Sequence, residues 1–138
     1  MNVDSFLISE YATTTSGRLT IVNTFNRLRG PGPRWGLPLL YLSSVTHAHI
    51  TEVGPHRGEI RLVNAAREQL LPKPHLFDFE FSADMAQEGM PLRHQGVYMI
   101  AGLAFSAPGP YAFELHIDEV YAAAATLYVL RTDAPPGR

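Results

Sequence analysis

The 138-residue chain contains no cysteine, which excludes disulfide bonds, thiolate nucleophiles and cysteine metal ligands together. The stability of the fold must therefore come from packing and hydrogen bonding. Because a protein without disulfides fits a reducing compartment, we expect it to be cytoplasmic. Charged residues are also scarce, at 17%, and the formal net charge is −2. Nucleic-acid binders normally carry a basic face or stripe. The composition therefore predicts that nucleic acid is not a partner.

Long apolar runs are missing as well. The longest nearly uncharged stretch, residues 38–51, is interrupted by serine, threonine and histidine, and it is shorter than the about 18 apolar residues of a membrane span. The first eleven residues carry Asp4 and Glu10 but no basic residue, unlike a secretory signal. We expect no membrane partner and no export.

Apolar residues are plentiful, at 46% of the chain. A chain of this length and composition can bury one core without help from metals or cross-links. We predict a single domain over residues 1–131. The polar, proline-rich segment 132–138 is predicted to be a flexible tail.

Alternation of apolar and polar residues is the clearest signal in the chain. Residues 77–81 and 111–118 each place large apolar side chains at every second position, as half-buried strands do. Residues 97–105 are apolar on both faces and flanked by glycine and proline, which favours a central strand over a buried helix. The alanine run 122–125 has high helix propensity. The tight reversal Asp118-Glu119 before it still favours a strand over 120–130.

The remaining strands complete an all-β pattern. Residues 6–11 and 18–26 form a predicted N-terminal hairpin, and strands follow at 39–51 and 59–63. The sequence thus predicts a single antiparallel β-sandwich of about eight strands, immunoglobulin-like in its architecture. Two long loops, residues 28–37 and 84–95, are the unusual features, and such loops often carry function.

Three segments carry a resemblance to a known family: DSFLISEYATTTSGRLTIVNTF, then GEIRLVN, then LAFSAPGPYAFELHIDE. Together they resemble a family of small uncharacterised bacterial β-sandwich proteins, in which a hairpin of the kind LLADYA…GKLTI is followed much later by PGEYRFEL. The resemblance implies the sandwich fold, with a late PGxYxFEL strand at 108–115, and it implies no catalytic residue. The segments RLRGPGPRWG and NAAREQLL depart from the family pattern.

Four residues in or beside loop 28–37 form a candidate partner-binding site: Arg27, Arg29, Arg34 and Trp35. Arginine and tryptophan are the residue types that most often anchor interfaces. They favour a non-catalytic protein-binding or assembly module, whose partner is another protein or a second copy paired through a sheet edge. In the alternative interpretation, Trp35 packs over the end of the sandwich and the arginines are solvated.

His47 and His49 are the candidate metal ligands. Residues i and i+2 of a strand point to one face about 6.5 Å apart, so both imidazoles could reach one ion. A third ligand would have to come from His56, His116 or Asp118. The alternative function is therefore a metal-dependent enzyme or metal-binding protein. The competing interpretation is that the two histidines belong to an ordinary polar strand face. With two ligands only, no cofactor is predicted.

No motif for nucleophilic catalysis is present, because the chain lacks cysteine and a G-x-S-x-G segment. Carboxylates occur in pairs on outer strand faces, Asp78 with Glu80 and Glu114 with Asp118. Such pairs are the usual way in which a strand meets water, and a glycosidase would need an apposed pair in a cleft. We predict no catalytic residue.

Overall fold

The computed structural model describes residues 1–87 and 89–132. In this part of the chain nine strands form: β1 (Asn2–Thr15), β2 (Arg18–Thr24), β3 (Arg27–Gly30), β4 (Trp35–Ala48), β5 (Gly54–Val63), β6 (His75–Phe81), β7 (Leu92–Phe105), β8 (Gly109–Ile117) and β9 (Val120–Arg131). A 3-10 turn at Ile50–Glu52 follows β4, and the short helix α1 (Ala83–Gln87) follows β6. No helix in these ranges has the length and apolarity needed to span a bilayer.

The strands lie in two sheets, which confirms the all-β class. Sheet A has the order β2-β1-β4-β7 and sheet B the order β3-β9-β8-β5-β6. The prediction of a wholly antiparallel fold is wrong at one pair, since β3 runs parallel to β9. The chain leaves β2 and enters sheet B after only two residues, so β3 cannot reverse its direction. The immunoglobulin-like detail is not confirmed, because sheet B curls into a half-barrel.

The core lies between the two sheets and follows the predicted alternation. On β8 the side chains of Tyr111, Phe113, Leu115 and Ile117 are all buried. They pack against apolar residues of β4, β5, β7 and β9. Burying each large side chain contributes about 1.5–3 kcal/mol. The apolar residues at every second position therefore form the core, and their burial is the main source of stability.

Both predicted hairpin reversals are confirmed. Ser16 and Gly17 connect β1 to β2 with φ of 51° and 74°, and Asp118 and Glu119 connect β8 to β9 with φ of 50° and 68°. Two successive positive φ values are typical of the type I′ turn, whose twist matches that of the flanking strands. The alanine run follows the second turn as part of β9, as predicted.

Several predicted boundaries differ from the structure. Residues 13–15 belong to β1, and residues 54–58, predicted as a loop, form the first half of β5. Loop 28–37 shortens to residues 31–34, because β3 and β4 occupy its two ends. Loop 84–95 is likewise shortened by α1 and by the start of β7. The predicted tail lies outside the described residues, apart from Thr132.

Candidate functional site

Trp35, the central residue of the predicted partner-binding site, lies in the core. It is the first residue of β4 and is 3% exposed. Its indole Nε1 donates a hydrogen bond to the carbonyl of Gly30 at 3.0 Å, and a Cβ on Gly32 would lie 2.8 Å from the ring. Glycines in this segment therefore let the backbone close over the indole, so the ring is not available to a partner.

The three arginines of that site are exposed but do not share a surface with Trp35. Arg27 and Arg29 belong to strand β3 rather than to a loop, and Arg34 lies in the short connection before β4. The guanidinium nearest the indole belongs to Arg131, at 5.8 Å from the ring centre. Of the four residues that the sequence grouped, Trp35 is therefore buried, and the three arginines are exposed.

His47 and His49, the predicted metal ligands, each make a contact of their own. Strand β4 ends at Ala48, so His49 lies beyond it and caps the 3-10 turn, where its Nδ1 accepts a hydrogen bond from the Thr51 N–H at 3.3 Å. His47 instead contacts the carboxylate of Asp4 on β1. Each imidazole is thus engaged by a neighbour in its own chain, and a metal site at this pair stays a prediction.

The other proposed ligands do not join His47 or His49: His56 and Asp118 pair with each other, and His116 has a different partner. His56 contacts Asp118 at 2.6 Å, and His116 contacts Glu114 at 3.2 Å. Over residues 1–87 and 89–132, no group of three histidine or carboxylate side chains could hold a metal ion. The structure therefore offers no support for the metal-based alternative.

Two histidines have perturbed pKa values of opposite direction. The nearly buried His56 ring lies between the Asp118 carboxylate and the Glu52 carbonyl, each 2.6 Å away. Burial opposes its charge, but these two acceptors outweigh it and raise the pKa. His94 on β7 stacks on Phe79 with ring centres 4.5 Å apart, and burial lowers the pKa of its imidazole.

These shifts predict opposite pH dependence for two matched variants. Because His56 has a raised pKa, its stabilising contribution is full below pH 6.5 and is lost as the pH rises. His56→Gln should therefore cost more stability at pH 5.5 than at pH 8. His94 has a lowered pKa, so His94→Gln should cost more at pH 8. Urea denaturation at pH 5.5 and at pH 8 measures the stability that each variant loses. If both variants lose more stability at the same pH, the prediction is wrong.

The sequence also failed to identify a carboxylate buried on the outer face of sheet B. Glu114 is 3% exposed, and its oxygens accept hydrogen bonds from Arg67 at 2.6 Å and from His116 at 3.2 Å. Burial would raise the pKa of Glu114, but these two partners outweigh that effect and lower it. Arg67 lies 47 residues away in sequence, so no local signal indicates the pair. The contact holds the loop between β5 and β6 against sheet B.

Three of the four strands that end the sheets are protected against pairing with another chain. Strand β3 is only four residues long and carries two arginines. Strand β6 carries Asp78 and Glu80, and it contacts β7, the strand at the end of sheet A. Aromatic rings pack between these two strands, with Phe77 against Tyr98 at 4.4 Å. Short length, charge and coverage are the usual ways in which an edge is protected.

Strand β2 has none of these protections. It is seven residues long, it ends sheet A, and its only charged residue is Arg18 at its first position. From Leu19 to Thr24 it is uncharged, free of proline and partly or fully exposed, with a β-branched run at 20–22. Such an edge presents unpaired backbone groups that another strand can bind.

These features define an all-β, two-sheet domain with one unprotected edge strand. The chain belongs to DUF6941, a family of unknown function, whose model matches residues 4–130. This confirms the expected membership of an uncharacterised family of small all-strand domains. A search of curated protein sequences finds no match.

Among solved structures, the chain is similar to the Pseudomonas fluorescens alkylpurine DNA glycosylase AlkC bound to DNA containing an abasic site analog. The TM-score is 0.44 at 10% identity, over 92% of this chain and 30% of that chain. So distant a likeness supports no conclusion about activity. It does conflict with the prediction that excluded nucleic acid, and that exclusion is wrong as stated. Net charge averages over the whole surface and cannot rule out a local contact.

Proposed function

We propose that this domain is a non-catalytic assembly module of the cytoplasm that pairs with a second copy of itself through the free edge of β2. The observation that carries the proposal is the uncharged, exposed edge from Leu19 to Thr24. The lack of cysteine is compatible with a reducing compartment. A two-fold dimer is the commonest assembly of soluble proteins.

An antiparallel pairing centred on Ile21 satisfies two-fold symmetry. Ile21 then lies opposite itself, Thr20 opposite Val22, and Arg18 opposite Thr24. Cross-strand pairs of β-branched residues contribute about 0.2–1 kcal/mol each. The pairing would join two four-stranded sheets into one continuous sheet of eight strands.

The charges at the edge favour this register. Arg18 would lie opposite Thr24 of the second copy, next to Asn23, and therefore away from the other Arg18. The Asn23 side chain donates a hydrogen bond to Glu10 of its own chain at 2.9 Å. Arg18 thus approaches the Glu10 carboxylate of the second copy, and opposite charges across an interface favour the correct register.

The β1–β2 hairpin is held in place before any partner binds. At its tip, the side-chain amide of Gln95 on β7 lies 3.0 Å from the carbonyl of Gly17. Near its base, the ring of Tyr11 meets that of Tyr41 on β4, with centres 5.3 Å apart. A fixed edge loses little conformational entropy on association, which supports its use as an interface.

Light scattering on a sizing column tests the proposal. The wild-type protein is expected to have twice the mass of the chain at micromolar concentration. The double substitution Thr20→Lys/Val22→Lys places like charges opposite each other at two positions, and it should give a folded monomer whose circular dichroism spectrum matches that of wild type and whose melting temperature falls only by the lost association. Leu76→Lys, an exposed apolar position on edge strand β6, is the matched control and should remain dimeric. A wild-type protein that is monomeric at micromolar concentration would contradict the proposal.

A further inference from the structure

The charges of this domain are segregated along the chain and across sheet B. Residues 11–51, 89–113 and 120–132 contain no aspartate or glutamate, so strands β2, β3, β4, β7 and β9 carry no carboxylate. In sheet B the carboxylates lie on β8, β5 and β6, whereas β3 and β9 form the opposite side of the sheet. On that side every charged side chain is an arginine, although the net charge of the whole chain is −2.

The arginines on that side are exposed and lack a carboxylate partner. Arg27 and Arg29 lie on β3, and Arg131 ends β9; all three are exposed. In the part of the chain that the structure describes, no carboxylate comes within 4.0 Å of their guanidinium groups. The arginines of β5 and of the β5–β6 loop, in contrast, each contact a carboxylate. Positive charge is therefore concentrated here without compensation, and such a surface attracts anions.

Arg27, Arg29 and Tyr128 point to the same face of sheet B. Between the two arginines, Leu28 packs against the core, so its neighbours point outward. On β9 both neighbours of Tyr128 are fully buried, and Tyr128 itself is 44% exposed. Arg27 is the register partner of Tyr128 on the adjacent strand. Two arginines about 6.6 Å apart along β3 therefore lie beside an exposed aromatic ring.

Arg131 extends this surface toward the end of β9. It pairs in register with Gly30 at the end of β3, and its guanidinium lies over the Trp35 ring, 5.8 Å from the ring centre. A cation packed on an aromatic face is held in place, so it loses little conformational entropy when a ligand binds. We call Arg27, Arg29, Arg131 and Tyr128 together the arginine surface.

We propose that the arginine surface binds single-stranded nucleic acid, with backbone phosphates at the arginines and a base stacked on the Tyr128 ring. Arginine binds a phosphate through two parallel hydrogen bonds. The bases of a single strand can stack on aromatic side chains, and proteins that bind single strands combine such rings with positive charge. An acidic peptide would use the charges alone, whereas nucleic acid uses both the charges and the ring.

The location of these residues is compatible with the other roles assigned to the sheet edges. Charge on β3 prevents its pairing with another strand, but a ligand bound through phosphates and a base needs no strand pairing. The arginine surface lies on sheet B, whereas the proposed dimer uses β2 of sheet A, so the inference does not rest on the proposed dimer. Variants of the arginine surface should leave the mass on a sizing column unchanged.

Fluorescence anisotropy of a labelled twelve-nucleotide oligo-dT at about 50 mM salt tests the inference. The wild-type protein is expected to bind, with an affinity that falls as salt is added. Arg27→Gln/Arg29→Gln should weaken binding by about tenfold or more, and it should lower the slope of log K against log salt by about 1.4, since each phosphate contact contributes about 0.7. Arg57→Gln/Arg61→Gln removes the same charge from arginines that contact carboxylates. It is the matched control and should bind nearly as well as wild type.

Variants of Tyr128 separate nucleic acid from other polyanions. Tyr128→Leu should weaken binding of the oligonucleotide by about fivefold or more, which is the smallest effect expected for a lost base stack. Its salt dependence should match that of wild type, because the ring carries no charge. Tyr128→Phe keeps the ring and should bind as well as wild type, which excludes a general loss of folding at this position.

The outcomes that contradict the inference are specific. It fails if the wild-type protein does not bind the oligonucleotide at about 50 mM salt, if Arg27→Gln/Arg29→Gln binds as well as the matched control, or if Tyr128→Leu binds as tightly as wild type. It also fails if a twelve-residue poly-glutamate peptide or a DNA duplex competes as well as unlabelled oligo-dT, because the surface would then recognise negative charge alone.

Discussion

Replacing Trp35 with alanine is expected to lower the free energy of unfolding by about 3–5 kcal/mol. The indole is almost wholly buried in the main core cluster, and its removal would leave a cavity next to Gly30 and Gly32 that the rigid sheet cannot close. The carbonyl of Gly30 would also lose its indole donor. For a chain of this size, the melting temperature should fall by roughly 10 °C or more.

Two further substitutions, one at Trp35 and one at the adjacent Arg34, separate the effect of indole packing from that of the hydrogen bond and of the exposed loop. Trp35→Phe keeps an aromatic ring but loses the hydrogen bond to Gly30, so its cost should be intermediate. Arg34→Ala changes the adjacent exposed residue and should stay within about 0.5 kcal/mol of wild type. Urea denaturation measures all three variants. If Trp35→Ala lowers the free energy of unfolding by less than about 1 kcal/mol, packing of the indole does not stabilise this end of the core.

Gly58→Ala is expected to destabilise the protein by about 1–3 kcal/mol through overpacking. Gly58 on β5 lies opposite Phe77 on β6, and a Cβ at this position would lie 2.0 Å from the Phe77 ring. The ring would have to leave its place between Phe79 and Tyr98. The backbone at Gly58 needs no unusual φ, so the cost is steric.

A double-mutant cycle tests that explanation. Phe77→Leu removes the ring, so Gly58→Ala should cost much less in the Phe77→Leu background than in wild type. Gly36→Ala is the matched control, because a Cβ on this strand glycine meets nothing within 4 Å. We expect it to be neutral or slightly stabilising. Equal costs of Gly58→Ala in both backgrounds would rule out the clash.

The features of the fold that the sequence predicts correctly are local ones. Alternation over 111–117 and the Asp118-Glu119 reversal depend on residues close together in the chain, where strand period and turn chemistry act directly. The alanine run 122–125 is harder to predict as a strand, because the intrinsic propensity of alanine favours helix. Pairing with β8 and the burial of Ala125 and Leu127 against the core outweigh that propensity.

The errors concern contacts between residues far apart in sequence. The pattern PGPRW indicates a loop, yet Trp35 begins a strand because Gly30 and Gly32 allow the backbone to pack against the indole. The same holds for Arg67 and Glu114, which meet only after the β5–β6 loop folds over sheet B. Strand register, which decides such contacts, cannot be read from one sequence.

The free edge of β2 could not be predicted from the sequence for the same reason. Any exposed β-branched strand can be an edge or an internal strand, and only the order β2-β1-β4-β7 shows that β2 has a free side. The sequence predicted assembly through a sheet edge in general terms. It directed attention to three arginines, which the structure shows as exposed, and to His47 and His49, which have separate partners.

The central claim is that β2 pairs with β2 of a second copy, and mixing two charge variants tests it most directly. Thr20→Lys/Val22→Lys and Thr20→Glu/Val22→Glu should each be monomeric by light scattering, because position 20 lies opposite position 22 and like charges repel. An equal mixture should form a dimer of twice the chain mass, since every lysine then faces a glutamate. If the mixture stays monomeric, or if either variant alone remains dimeric, this pairing is wrong.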